Sequence, residues 1–247
     1  VSVPAAVKQQ IQLTGGAFMF SREAKAYARS TGVDDFLAPY TRGRGGVLGD
    51  VDAEVIVAAF GFFRPATVRA AWESVPGSAA EAATAYLRVV QDFGRRKLAA
   101  FERADRLAEL LERVVGAAEV AGVPLFAGWR GLPLADDGAA RAMQLLHVAR
   151  ELRGGLHLLA VRASGLSPLQ AVLIAGSAVN DGPAQARLFG WSEPFEAISE
   201  EQRRRWESAE ALTDTLIEPA FAVLDEAEGK ELVDLVDAAQ ACVLGSR

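Results

Sequence analysis

The sequence predicts an all-α protein of about ten helices, with a helical N-terminal half and a C-terminal part ending in two long helices. Three observations carry this. Apolar residues recur with a helical period through most of the chain, as in Leu107, Leu110, Leu111, Val114 and Val115. Helix-start signals recur as well: Ser21, Ser78, Ser167 and Ser192 stand as caps, and Pro65 and Pro168 stand at first helical positions. Strict two-residue alternation and a repeat of fixed length are both missing.

Taken in order, residues 1–20 read as a helix interrupted at Gly15-Gly16. Adjacent glycines either break a helix or let a neighbour approach its backbone. Ser21 caps a second helix that Gly32 stops. Residues 34–49 read as an irregular loop, with Arg42 and Arg44 among four glycines. Exposed arginines there would clamp a carboxylate, sulfate or phosphate, or the stretch is a flexible, solvated linker between helices. Val51, Val55, Ile56, Ala59 and Phe60 mark the next helix. Pro65 opens another and Ser78 a long one, whose inner stripe holds Tyr86, Val89, Val90 and Phe93, with Asp92 beside it. After the helix over 105–120 comes a second loop, 122–138, with Phe126, Trp129 and Arg130. A helix over 139–163 follows, with a kink or break expected at Gly154-Gly155. Two terminal helices close the chain, over 199–224 (with a kink at Pro219) and 231–244; such helices pair with a second copy or fold back. The expected organisation is a helical domain over 1–122 and another over 123–247, joined as one compact unit.

Residues 165–206 have the outline of a helix-turn-helix. Ser167 and Pro168 start a helix through Leu169, Val172, Leu173 and Ala175. A turn at 180–183 leads to a short helix with Ala184, Ala186 and Leu188. Gly190 ends it, and Ser192 caps a third. In a DNA reader that third helix enters the major groove. Here it would present Glu193 and Glu196, then Glu200 and Glu201, and carboxylates repel a phosphate backbone. The basic run Arg203-Arg204-Arg205 faces three directions on a helix.

Composition bounds the chemistry. The net charge is −6, which gives no general attraction to nucleic acid or acidic membrane. A single cysteine and two histidines leave no zinc framework and no three-histidine site, so no metal is expected. Phosphate-loop, dinucleotide, zinc-protease and serine-hydrolase motifs do not occur, and nothing in the residues calls for a cofactor. No stretch approaches the roughly 18 apolar residues of a membrane span. The N-terminus lacks the pattern of a signal peptide, so a cytoplasmic location is expected.

The residues from Pro124 to His157, PLFAGWRGLPLADDGAARAMQLLHVARELRGGLH, resemble a segment of the actinobacterial SalK-like proteins. The glycine-rich turn over 43–49, residues 61–65 and the C-terminal part add to the resemblance. It implies a winged-helix-related fold of the MarR kind. By position, Arg44, Arg150, Arg153 and His157 match the family's polar residues. Gly15, Met19 and Leu152 depart from it, standing where the family has histidine, tyrosine and histidine. The segment between Trp191 and Thr213 is shorter than the family's, so the reading helix and β-wing are expected to be degenerate.

The favoured expectation is a small-molecule-binding, cofactor-free protein of natural-product metabolism that has lost DNA binding. Phe18, Phe20, Phe60, Phe62 and Trp129 would wall its pocket. Arg42, Arg44, Arg130, Arg150 or Arg153 would hold a small anionic or amino-acid-like metabolite. His157, Glu151 or Asp92 would move protons. One concrete reaction is an intramolecular substitution, in which an amine displaces an arginine-held sulfate or phosphate and closes a small ring such as an aziridine. The alternatives are a ligand-sensing regulator of the MarR type, dimeric through its terminal helices, and a non-catalytic partner subunit of a biosynthetic enzyme.

Overall fold

The computed structural model describes residues 2–245; residue 1 and residues 246–247, the outer ends of the expected domains, lie outside that range. Among the described residues there are thirteen α-helices, two short 3-10 turns and no strand. The helices are α1 (Val3–Thr14), α2 (Arg22–Ser30), α3 (Leu37–Gly45), α4 (Ala53–Ala59), α5 (Pro65–Ser74), α6 (Ala79–Lys97) and α7 (Ala104–Ala117). They continue as α8 (Pro124–Arg130), α9 (Gly138–Ala163), α10 (Pro168–Ala175), α11 (Gly182–Leu188), α12 (Glu200–Phe221) and α13 (Glu226–Gly245).

Helix α9 is the axis of the molecule, with α1, α6, α7, α8 and α12 packed around it. Every residue from 142 to 149 is buried, so this helix shows no polar face in its middle. It runs as one helix through Gly154-Gly155, where the sequence predicts a kink or break. Packing supplies what glycine propensity lacks: a Cβ at Gly155 would stand 2.7 Å from the side chain of Val123. One hydrophobic cluster draws on residues from Val7 to Val243. A smaller one, of Ala160, Val161, Leu166, Ala171 and Ala209, fastens α10 to α9 and α12.

Several expected starts are present in detail. Ser21, Ser78 and Ser167 each accept a backbone N–H of the helix they open. Ser167 and Gln170 form a full capping box, with Pro168 in the first turn. Other expectations need correction. The supposed loops over 34–49 and 122–138 contain helices α3 and α8. Helix α3 was illegible because it is buried nearly all round and therefore carries no polar stripe. Its glycines allow close approach: a Cβ at Gly43 would lie 2.6 Å from the ring of Tyr86 on α6.

No helix starts at Ser192. The chain there is pinned to the α4–α5 connection instead. Arg64 donates to the Ser192 hydroxyl at 3.2 Å, and the Trp191 indole donates to the Phe62 carbonyl at 2.9 Å. Ser199 with Gln202 caps the next helix, α12. The terminal helices fold back on the body. The apolar face of α13 (Leu232, Leu235, Val236 and Ala239) is buried within the chain, where α13 meets α1 and α7. No single helix among the described residues is long and apolar enough to cross a membrane.

Close packing of α6 on α9 makes one glycine indispensable. A Cβ at Gly94 would meet Met143 Cβ at 2.6 Å and the Ala139 carbonyl at 2.7 Å, whereas one at Gly116 on α7 meets nothing within 4 Å. Gly94→Ala should lower unfolding stability by about 1–3 kcal/mol through overpacking. Gly116→Ala should raise it by up to ~1 kcal/mol through helix propensity. Urea unfolding midpoints measured at unchanged m-value check both signs.

Candidate functional site

A cleft of about 680 Å³ opens between α2 and α3. Its floor is tyrosine. The chain has three tyrosines, and Tyr27 of α2, Tyr40 of α3 and Tyr86 of α6 all line it. Ring centroids lie 5.3 Å apart for Tyr27 and Tyr86 and 6.5 Å apart for Tyr40 and Tyr86. Each tyrosine is less than a tenth exposed (8%, 6% and 2% in chain order). Among the described residues, none of the three hydroxyls has a hydrogen-bond partner in the protein. The Tyr27 hydroxyl is itself shut off from solvent, whereas the Tyr40 and Tyr86 hydroxyls stay open, so these two are the unpaired donors that a ligand in the cleft can meet. At the outer edge Phe20 stacks on Phe36 at 5.1 Å, and both rings are substantially exposed.

Burial pushes the Tyr27 phenol up to about 12, against the nearby charge of Arg42. The Tyr86 phenol is likewise held well above its ordinary value, by burial and by Tyr40 and Tyr27, against Arg44 and Arg150. At neutral pH both are therefore protonated.

Behind this floor lies a buried charged cluster. Arg44 of α3 makes two parallel bonds to Glu151 of α9, at 2.9 and 2.8 Å. Arg150 donates to the same carboxylate at 3.3 Å. Burial alone would raise the Glu151 carboxyl, but Arg44, His147 and Arg150 outweigh it and hold it at about 2. His147 lies one turn before Glu151, between Trp129 (4.5 Å) and Phe18 (5.0 Å), each ring edge-on to it. Burial lowers its imidazole to about 4. Its Nδ1 faces the Gly15 carbonyl at 3.2 Å. A carbonyl only accepts, so Nδ1 carries the proton and the Nε2 lone pair is left without a partner.

A second polar group joins α1, α9 and α12. His157 Nδ1 lies 2.9 Å from the Thr213 hydroxyl, and Arg153 donates to Glu210 at 3.0 Å. Lys8 bonds Asp214 at 2.8 Å. Burial first, and then Arg153, push the His157 imidazole down to about 4.

These positions regroup the expected site. Arg44, Arg150, Glu151, Phe18 and Trp129 come together beneath the cleft, and Phe20 forms its lip. His157, Arg153 and Phe62 belong to the second group, with Phe62 5.8 Å from His157. Asp92 lies apart on the outer face of α6, paired with Arg95 at 2.7 Å. Arg130 bonds the Ala118 carbonyl at 2.8 Å and the Val115 carbonyl at 3.3 Å, closing the end of α7. The expectation of a free arginine clamp needs correction. Arg42 is buried over Trp72 and paired with Asp50 and the Gly77 carbonyl, and Arg44 is occupied by Glu151. A guanidinium carried on a buried helix must find a counter-charge inside the protein. The tyrosines were missed because Tyr86 reads as one more core aromatic and the other two share no motif with it. Their only signal was a polar-tipped ring on an otherwise apolar stripe.

Near the C-terminal outline, α10 and α11 pack together and α10 also touches α12. The sequence model of a helix-turn-helix family matches residues 5–247. The chain belongs to this helix-turn-helix family. No curated protein and no solved structure shows significant similarity to it. In this helix-turn-helix protein the basic run is neutralised locally. Arg204 and Arg205 bond Glu201 at 2.8 and 2.9 Å, Arg203 faces Glu200 at 3.9 Å, and Arg187 pairs with Glu193.

Stability should depend on acid with a definite sign. His147 and His157 titrate at about 4 when folded against 6.5 as free side chains. The native state then binds fewer protons than the unfolded one, and stability falls as pH drops from 6.5 to 4. Each histidine contributes up to ~1.4 kcal/mol per pH unit in that window. Glu151, folded value about 2 against 4.5, extends the loss below pH 4.5. Denaturant unfolding measured from pH 8 to pH 4 should show this slope, and His147→Gln should reduce it. Glu151→Gln leaves Arg44 and Arg150 without their counter-charge and should destabilise by about 3–5 kcal/mol at pH 7, as read from the same titration.

Proposed function

We propose that this helix-turn-helix protein binds a small metabolite in the tyrosine-floored cleft and does not read DNA. The observation that carries the reading is the set of three largely buried tyrosines lining one cleft of about 680 Å³, with the Tyr40 and Tyr86 hydroxyls open to it and unpaired in the protein. That volume suits a ligand of drug-like size, and an apolar wall with a few convergent polar groups is the usual build of such sites.

The resemblance to SalK-like proteins supports a place in specialised metabolism and a degenerate winged-helix origin for the C-terminal part. The pairing of Arg187, Arg203, Arg204 and Arg205 with carboxylates supports the loss of DNA contact. Cofactor-free intramolecular substitution fits this cleft as a reaction class. An amine nitrogen forms the new C–N bond, and the C–O bond to sulfate or phosphate breaks. The leaving anion takes hydrogen bonds from the phenols, and the ammonium proton passes to water. In this version the tyrosines replace the arginines as the groups that meet the leaving anion. Family membership is the one observation that favours a ligand-sensing regulator.

Binding is tested with Nile red, a neutral apolar dye, on the full chain. Saturable fluorescence enhancement is expected. The double variant Ala28→Trp/Val33→Trp, which fills the cleft, should weaken it by about tenfold or more at unchanged circular dichroism. Equal enhancement in the variant would place the dye elsewhere and defeat the reading. Fluorescence anisotropy with labelled duplex DNA at low salt should show no binding, whereas salt-sensitive micromolar binding would favour the regulator.

A further inference from the structure

The groups behind the cleft floor select the charge of the ligand. Phenol hydroxyls both donate and accept, so the tyrosines alone do not decide. Three guanidiniums stand close behind them. Arg42 acts on Tyr27, and Arg44 and Arg150 act on Tyr86. Arg44 also lies 5.7 Å from the Tyr40 ring. Two carboxylates answer them, Asp50 on Arg42 and Glu151 on Arg44 and Arg150. With His147 neutral, three positive and two negative charges leave one positive charge beneath the phenols. The rim does not cancel it, since Lys25 and Arg29 there balance Asp34 and Asp35. A fixed positive charge behind donors of low mobility favours an acceptor oxygen and opposes an ammonium group.

Building on the cleft as a binding site, we propose that its ligand is an apolar or aromatic acid. Its oxyanion end is seated on the hydroxyls of Tyr40 and Tyr86, and its hydrocarbon body lies outward against Phe36 and Phe20. The orientation follows from the lining. The donors and the positive charge lie at the floor, and the stacked exposed rings of Phe20 and Phe36 form the lip.

The test compares three probes of one shape on the full chain at pH 7.5: 2-naphthoate, 2-naphthylmethanol and 2-naphthylmethylammonium. Each is titrated by calorimetry and as a competitor of Nile red. The acid should bind about tenfold or more tighter than the alcohol, as a hydrogen bond to a charged group allows, and the ammonium should bind weakest. Tyr40→Phe removes one donor and leaves the ring. It should weaken naphthoate by about tenfold and change the alcohol by less than about threefold. Its melting temperature should match or exceed that of the wild type, because the lost hydroxyl has no partner in the protein. Ammonium binding as tight as the acid, or naphthoate binding indifferent to Tyr40→Phe, overturns the assignment. Should Nile red bind while no naphthalene probe displaces it, the acid assignment falls and the cleft reading stands. Should none of the four bind, both fall.

Discussion

The two-point ion pair between Arg44 and Glu151 is the constraint on which the rest of the site depends. Glu151 sits on the central helix in a fully buried setting, and a lone carboxylate there would be prohibitive. Arg44 answers it with both arms of its guanidinium, a geometry that tolerates little displacement. The pair therefore fixes where α3 lies against α9. Arg44 also lies over the Phe60 ring at 4.5 Å, and its carbonyl accepts the Trp129 indole at 3.1 Å. Through these contacts α3, α4, α8 and α9 share one register.

That register positions the cleft. With α3 held down on α9, Tyr40 on the same helix reaches Tyr86, and Gly43 lets the Tyr86 ring lie directly against the α3 backbone. Helix α2 leans on α6 through a separate pair, Glu23 with Arg96 at 2.6 and 2.8 Å. The aromatic floor is thus bounded by two elements tied down independently, with space between them. The charged cluster and the phenols form two layers, charge below and hydroxyls above. This arrangement gives a mostly apolar cleft a directional electrostatic field.

The helix-turn-helix part stands in a different relation to the body. Helix α12 is recruited inward, with Glu210, Thr213 and Asp214 meeting Arg153, His157 and Lys8. Its first turn keeps Glu200 and Glu201 at the surface, where they neutralise the nearby arginines. Helix α12 is thus engaged on its inner face by the body and at its outer turn by internal ion pairs.

Local chemistry was legible in the sequence wherever it sufficed by itself. The caps at Ser21, Ser78 and Ser167, the stripes of α6 and α7 and the stop at Gly32 depend on near neighbours, so the residues alone determined them. Fold class followed from the same periodicity. Tertiary structure alone decided the rest. Helix α3 is buried on nearly every side, which erases the polar face that periodicity detects. Arg42 and Arg44 read as free cations because their partners, Asp50 and above all Glu151, were not visible as partners. The three tyrosines became a site only when α2, α3 and α6 converged, since no local spacing ties residue 27 to residue 86. Ion pairing and convergence join residues far apart in the chain, and a sequence read through its local periods carries no record of which distant residues will meet.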